Sequence, residues 1–448
     1  MLNSYLTRPI DNTFLILFRI LFGLLAAIEC WGALALGWVN EVFVDPIVHF
    51  PFIGFEFLIP VFTGPQMVVI YALMGLSGLL IALGKYYRMA SVFLALFWTI
   101  SYLMQKVHYN NHYYLFMLLA WIMTIMPVSK RLRGLKPSKT DIYFTFRIYK
   151  VFFIFLLFIM YSFASINKIQ PDWIAGKPIA IWFANKSHYP LIGALLQNEL
   201  LQRFVVWGGI LFDGLIIPAL LWKKTKNIAF AASVVFHLFN SVVFQIGIFP
   251  YLSLAFHVFF FDSHTLRRVF LMDKWAPLPN KTQKPPPLRT PFFVFKWGAL
   301  VFLFVQILLP LRNHLWNSDV NWSEEGHRLS WRMMLRTKSG TLYYKLILGE
   351  EQKVAFHYPE DVVGHRTAHT MASHPDMIWQ YAQYLLAEYM KDGYEPQEIQ
   401  IYALASLSLN GGPKSTFVDP SADLSQKKWS HWKSSDWILP QKQHNTQR

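Results

Sequence analysis

The stretch KVHYNNHYYLFMLLAWIMTIMP (106–127) places Asn110, Asn111 and His112 at the mouth of an apolar run. Polar side chains at membrane depth are costly unless they bind something or face water. Three other clusters share this character. ASINKIQPDW (164–173) carries Lys168, FHLFNSVVFQIGIFPY (236–251) carries His237, Asn240, Ser241 and Gln245, and VNWSEEGHRLSWRMMLRTK (320–338) is rich in charge. Lysine and histidine are proton-transfer groups, and amides are hydrogen-bonding groups. His108 and His112 stand four residues apart, a possible metal face, but no Glu or Cys joins them at ligand spacing and no metal is expected.

Each cluster also has a purely structural reading. Lys168 at a helix end can snorkel to the headgroups. His237 and Asn240, three apart, can tie neighbouring helices together. Glu324, Glu325 and Arg328 read as a solvated or salt-bridged loop. Trp173, Trp182 and Trp207 read as an aromatic belt.

The elements that must position these groups are membrane helices. Of 448 residues, 54% are hydrophobic and only 15% charged, against about a quarter charged in ordinary soluble domains. Apolar segments run at about 14–37, 67–84, 89–106, 113–128, 148–167, 203–222, 228–247, 249–262 and 292–310. The first carries Arg19 and Glu29 and lacks a small-residue cleavage site, so it reads as a retained helix. The amphipathic, Trp-rich stretch 169–196 reads as re-entrant or interfacial. The net charge of +15 sits mainly in loops such as SKRLRGLKPSK (129–139) and WKKTK (222–226). That fits the positive-inside rule rather than nucleic acid. The single Cys30 permits no intrachain disulfide.

With the N-terminus inside, the basic loops fall in the cytoplasm and all four polar clusters fall on the outer side. Residues 311–448 then lie outside. RLSWRMMLRTKSGTLYYKLILG alternates like a hairpin turning at Ser339–Gly340. The stretch 374–393 has helical spacing and a Gly393 cap, and EIQIYALASLSLNGGP reads as a strand closed by an Asn-Gly turn. The fold expected is mostly α, a polytopic transmembrane helical bundle of about eight or nine spans (1–310). A C-terminal extracytoplasmic α+β domain rich in antiparallel strands (311–448) completes it.

YNNHYYL, INKIQPDWIAG, FHLFNSVVFQIGIFPY and NWSEEGHRLSWRMMLRTK, in this order, resemble the vitamin K-dependent γ-glutamyl carboxylases in their shorter bacterial, horizontally transferred transmembrane (HTTM) form. The resemblance runs from about residue 10 to 425. It implies that vitamin K hydroquinone (or menaquinol), O2 and CO2 convert Glu in a protein or peptide to γ-carboxyglutamate, with the quinone epoxide as coproduct and no metal. The family's catalytic lysine, before its DW pair, matches Lys168 before Asp172–Trp173. Its asparagine–histidine pair matches Asn111 and His112, and the aromatic residue of its quinone-associated segment matches Phe249.

On this reading Lys168 and His112 are catalytic. Asn111, His237, Asn240 and Phe249 hold the quinone, and Trp331 and Lys338 line the acceptor's path. Burial at an apolar helix end disfavours an ammonium, which suits Lys168 to act as a neutral base. The family's vertebrate members link membrane and lumenal parts by a disulfide, which one cysteine rules out here. An alternative is a quinone- or lipid-binding membrane protein of the same fold without carboxylation. A transporter is disfavoured because no paired broken helices or inverted repeat is visible. The location expected is a bacterial inner membrane, with the active site extracytoplasmic.

Overall fold

The computed structural model describes residues 2–128, 144–272, 290–316, 318–431 and 433–441. The basic stretch 129–139 and most of the proline run 284–291 lie outside the described residues. The bundle comprises α1 (Thr13–Ala35), α2 (Gln66–Leu83), α3 (Tyr87–Met104), α4 (Asn111–Ile125), α5 (Arg147–Lys168), α6 (Glu199–Leu221), α7 (Lys226–Val243), α8 (Phe249–Ala255) and α9 (Thr290–Leu311). Among the described residues, seven helices are long and apolar enough to cross a membrane, all of these except α4 and α8.

The two exceptions have local causes. The Asn110 side chain accepts from the Tyr113 amide at 2.7 Å and fixes the start of α4, and Pro127 lies two residues past its end. Fifteen residues rise only about 22 Å, short of the ~30 Å hydrocarbon core. The run expected to span at 249–262 breaks after α8 into a 3-10 turn, Phe256–Phe259. Its apolar side chains are used inside the bundle. Phe256 packs tilted, 5.0 Å from Phe18 of α1, and Phe259 stacks 4.3 Å from Phe153 of α5. Helices α1 and α2 cross at close range because Gly23 and Gly78 face them. A Cβ on Gly23 would meet the Ala82 nitrogen at 2.5 Å, and one on Gly78 the Ala27 nitrogen at 2.6 Å.

Between α5 and α6, the Trp-rich stretch forms short helices at Pro171–Ile174, Lys177–Ala184 and Gly193–Leu196 rather than a span. Trp173 is buried there and Trp182 half-buried, so neither belongs to a lipid-facing belt, whereas Trp207 is exposed.

The outer domain is a four-stranded antiparallel sheet backed by a helix. Strands β1 (Lys338–Leu348), β2 (Lys353–His357), β3 (Ile399–Leu409) and β4 (Ser415–Thr416) lie in the order β2-β1-β3-β4. Helices α10 (Glu360–Met371) and α11 (Pro375–Lys391) separate β2 from β3. Tyr344, Leu346, Ile401 and Ala403 from the sheet join Ile378, Tyr381 and Leu385 of α11 in one core. The expected hairpin at Ser339–Gly340 is incorrect. Those residues pair with Ser408 and Leu407 inside β1, and the β1–β2 turn falls at Gly349–Gln352. The residues before β1 do not alternate as a strand, because Leu329, Trp331 and Met334 take left-handed φ of 60°, 53° and 49°. The Asn410–Gly411 turn (φ 51° and 72°) and the helix stop at Gly393 (φ 98°) match the sequence reading.

Candidate functional site

Two cavities meet where the segment 320–338 covers the bundle. The inner one encloses about 640 Å³, its mouth included, and is walled by Trp173, Trp182, Phe236, Phe244 and Phe249. Lys168, Asp213, Tyr161, His237 and Asn240 supply its polar atoms. The outer one is a polar vestibule of about 1000 Å³ between bundle and outer domain. His112, Met333 and Met334 line both and form the boundary.

Lys168 ends α5 and does not snorkel. It is buried, and its Nζ lies 2.6 Å from Oδ2 of Asp213 on α6 and 5.4 Å from the Trp173 ring. A buried ammonium needs such a partner. The sequence reading missed Asp213, although a lone carboxylate within the apolar run 203–222 is itself a signal of function. His237 on α7 makes a 3.1 Å hydrogen bond through Nε2 with the Tyr161 hydroxyl, a second residue missed from sequence. The His112 ring stacks on Phe249 at 4.0 Å. Nδ1 of His112 and Nδ1 of His237 are both buried and, among the described residues, find no hydrogen-bond partner.

Lys168, His112, His237, Asn240 and Phe249 therefore share one cavity. The other three expected site residues lie elsewhere. Asn111 lines the vestibule and donates to the Arg332 carbonyl at 2.8 Å, tying α4 to the covering segment. Trp331 is fully buried 4.9 Å from Tyr114 and lines neither cavity. Lys338 does line the vestibule, but with its ammonium on Glu324 and 2.6 Å from the Trp322 carbonyl.

The covering segment is not a solvated loop. Glu324 is buried and takes both Arg336 and Lys338; burial alone would raise its carboxyl, but these cations hold it well below the usual range. Arg328 and Lys106 each lie 2.5 Å from Asp376 at the start of α11. Burial opposes ionisation of Asp376, yet the two cations keep its carboxyl well below the ordinary value. Burial also pushes His374 down to about 4 and His327 well below the usual imidazole range, so both are neutral at pH 7. Further bonds clamp the end of α5 to the cap: Arg332 to Asn167 at 2.8 Å, and Asn410 of the Asn-Gly turn to Asp172 at 2.8 Å. Asp172, of the DW pair, thus holds domains together and also pairs with Lys177.

The fold and the cavities define a polytopic membrane protein with an aromatic-walled chamber beneath a polar, extramembrane cap. Two family models match it: the HTTM domain over residues 7–264 and the vitamin K-dependent gamma-carboxylase lumenal domain over residues 293–444. The chain belongs to the HTTM-domain, vitamin K-dependent gamma-carboxylase family, and its C-terminal domain is of the lumenal, extracytoplasmic type. No solved structure matches it.

Proposed function

We propose that the protein is a γ-glutamyl carboxylase that uses a reduced naphthoquinone, O2 and CO2 to convert Glu of a protein or peptide to γ-carboxyglutamate. Its bundle (1–310) holds the quinol and its outer domain (311–448) admits the acceptor. The N-terminus is placed on the cytoplasmic side, which puts the basic loops inside when α4 and the Phe249–Phe259 run cross as shorter helices alongside the seven long ones. The observation that carries this reading is the buried Lys168–Asp213 pair in an aromatic chamber that also holds two partnerless imidazole nitrogens. Such a chamber fits a flat lipophilic ring with hydrogen-bonding oxygens at its edge. His112, His237, Asn240 and Phe249 are the residues that would hold it. Bound there, the quinol supplies through its oxidation by O2 the strong base that the weakly acidic γ-carbon requires.

The residues of the chain have smaller tasks. Lys168 and Asp213, 2.6 Å apart, interconvert between an ion pair and an amine–carboxylic acid pair by one proton shift. As the amine, Lys168 Nζ has a free lone pair and can accept a phenolic proton. The aromatic walls exclude water, which would quench a strong base. His112 lines both cavities and would reach a quinol bound in one and a Glu side chain admitted by the other. Asn111 holds the Arg332 backbone and so fixes the lid over the chamber.

The test is chromatographic. Membranes containing the protein, given reduced naphthoquinone and O2, should form the quinone epoxide, faster when a Glu-containing peptide is added. Saturable quinol binding with no turnover would instead favour a quinone-binding protein of the same fold.

A further inference from the structure

The vestibule carries more positive charge than its own carboxylate neutralises. Arg332, Arg336 and Lys338 line it against the single carboxylate Glu324, a surplus of two charges. Glu324 is engaged by Arg336 and Lys338. Arg332 is buried, with side-chain bonds to Asn167 Oδ1 at 2.8 Å and Asn321 Oδ1 at 2.9 Å, both neutral acceptors. Among the described residues no carboxylate forms a salt bridge with it, and its Nε is buried without a partner. Burial and the charge of Arg336 push its guanidinium down to about 10, so it remains charged at neutral pH. Asp319 and Glu324 act on this guanidinium only at longer range; a buried cation whose hydrogen bonds all go to neutral groups is costly, and an arriving anion offsets that cost.

We infer that the vestibule is a dicarboxylate site, with Arg332 as its recognition residue, binding a malonate-like head group more tightly than a single carboxylate. This rests on the carboxylation reading: γ-carboxylation turns a monocarboxylate side chain into a geminal dicarboxylate, and a two-charge surplus matches the product better than the substrate. The consequence is inhibition by product and by free malonate, competitive with the acceptor peptide and not with the quinol.

Malonate binding to the detergent-solubilised full-length protein, measured by calorimetry without quinol or peptide, tests this apart from turnover. Malonate should bind at least about tenfold more tightly than acetate. Arg332→Gln should weaken malonate by about tenfold or more, the range for a hydrogen-bonded charged group. Arg332→Lys, which keeps the charge but loses the fork, should lie between. Because Arg332 also braces Asn167 and Asn321, the wild-type comparison of malonate with acetate decides if the variants fail to fold. Equal binding of the two anions, or an unchanged Arg332→Gln, overturns the inference. Carboxylation without malonate binding would likewise overturn it and leave the activity standing. Malonate binding by a protein that carboxylates nothing would uphold the site and remove the activity.

Discussion

Lys168→Ala is expected to lose quinol oxidation and Glu carboxylation together, each by roughly 10²–10⁴-fold, the usual contribution of a positioned general base. Both reactions depend on the same deprotonation, so they should fall in parallel. Quinol binding should persist, because the chamber keeps its aromatic lining of Trp173, Trp182, Phe236, Phe244 and Phe249. Small primary amines should restore part of the rate by filling the space beside Asp213, and more so at a pH where they are unprotonated. Asp213→Asn tests the partner of that base. It leaves Lys168 without a counter-ion, and carboxylation and epoxidation should again fall in step. His112→Ala differs: if His112 serves the γ-carbon, epoxidation should outlast carboxylation. Parallel steady-state assays of both products check the set, and near-normal epoxidation by Lys168→Ala would place the base elsewhere, first at His112.

Asp376→Asn should have the largest effect on stability. Lys106 precedes the Asn110–His112 entry, Arg328 belongs to the covering segment, and Asp376 opens α11. One carboxylate thus joins three parts of the structure. Removing it strands two buried cations at a cost of about 3–5 kcal/mol. The sign of the pH dependence follows from its depressed carboxyl. The stabilisation is complete above the unfolded value of about 3.9 and is lost as pH falls through the lower folded one. The wild-type protein should therefore hold its cap through mildly acidic pH, while Asp376→Asn is weak even at neutrality. The triple replacement Lys106→Met, Arg328→Leu, Asp376→Leu should recover much of the loss, since an apolar core can substitute for buried ions. Denaturant unfolding in detergent reads this directly; a change within about 0.5 kcal/mol, typical of surface sites, would show the triad to be unimportant.

Hydropathy located the bundle, because lipid-length apolar runs are a strong local signal, while α4 and the run after Phe249 fold as shorter helices than their apolar runs suggest. Their limits come from the Asn110 cap and from aromatic packing inside the bundle, and neither changes average hydropathy. The hairpin misreading at Ser339–Gly340 has a similar origin. Alternation continued past the true strand end into residues 329–334, whose left-handed turns follow from tertiary packing. In the candidate site, Lys168, His112, His237 and Asn240 were legible as polar punctuation of apolar runs, and Phe249 through the family resemblance alone. Their partners were not. Asp213 lies 45 residues from Lys168 and Tyr161 lies 76 from His237, and no spacing rule joins helices at that distance. Asn111 shows the converse: its type and place marked it as a ligand contact, while its bond to the Arg332 carbonyl, 221 residues away, makes it a fastener of the lid.

The central claim is that this chain carboxylates Glu. Mass spectrometry of a Glu-containing peptide, incubated with the protein, reduced naphthoquinone, O2 and ¹³C-labelled CO2, measures it most directly. Labelled carboxyl is expected on the γ-carbon of Glu, dependent on quinol and on O2 and absent with Lys168→Ala. An unlabelled peptide in the presence of active quinol turnover, or labelling that persists without quinol, would contradict it.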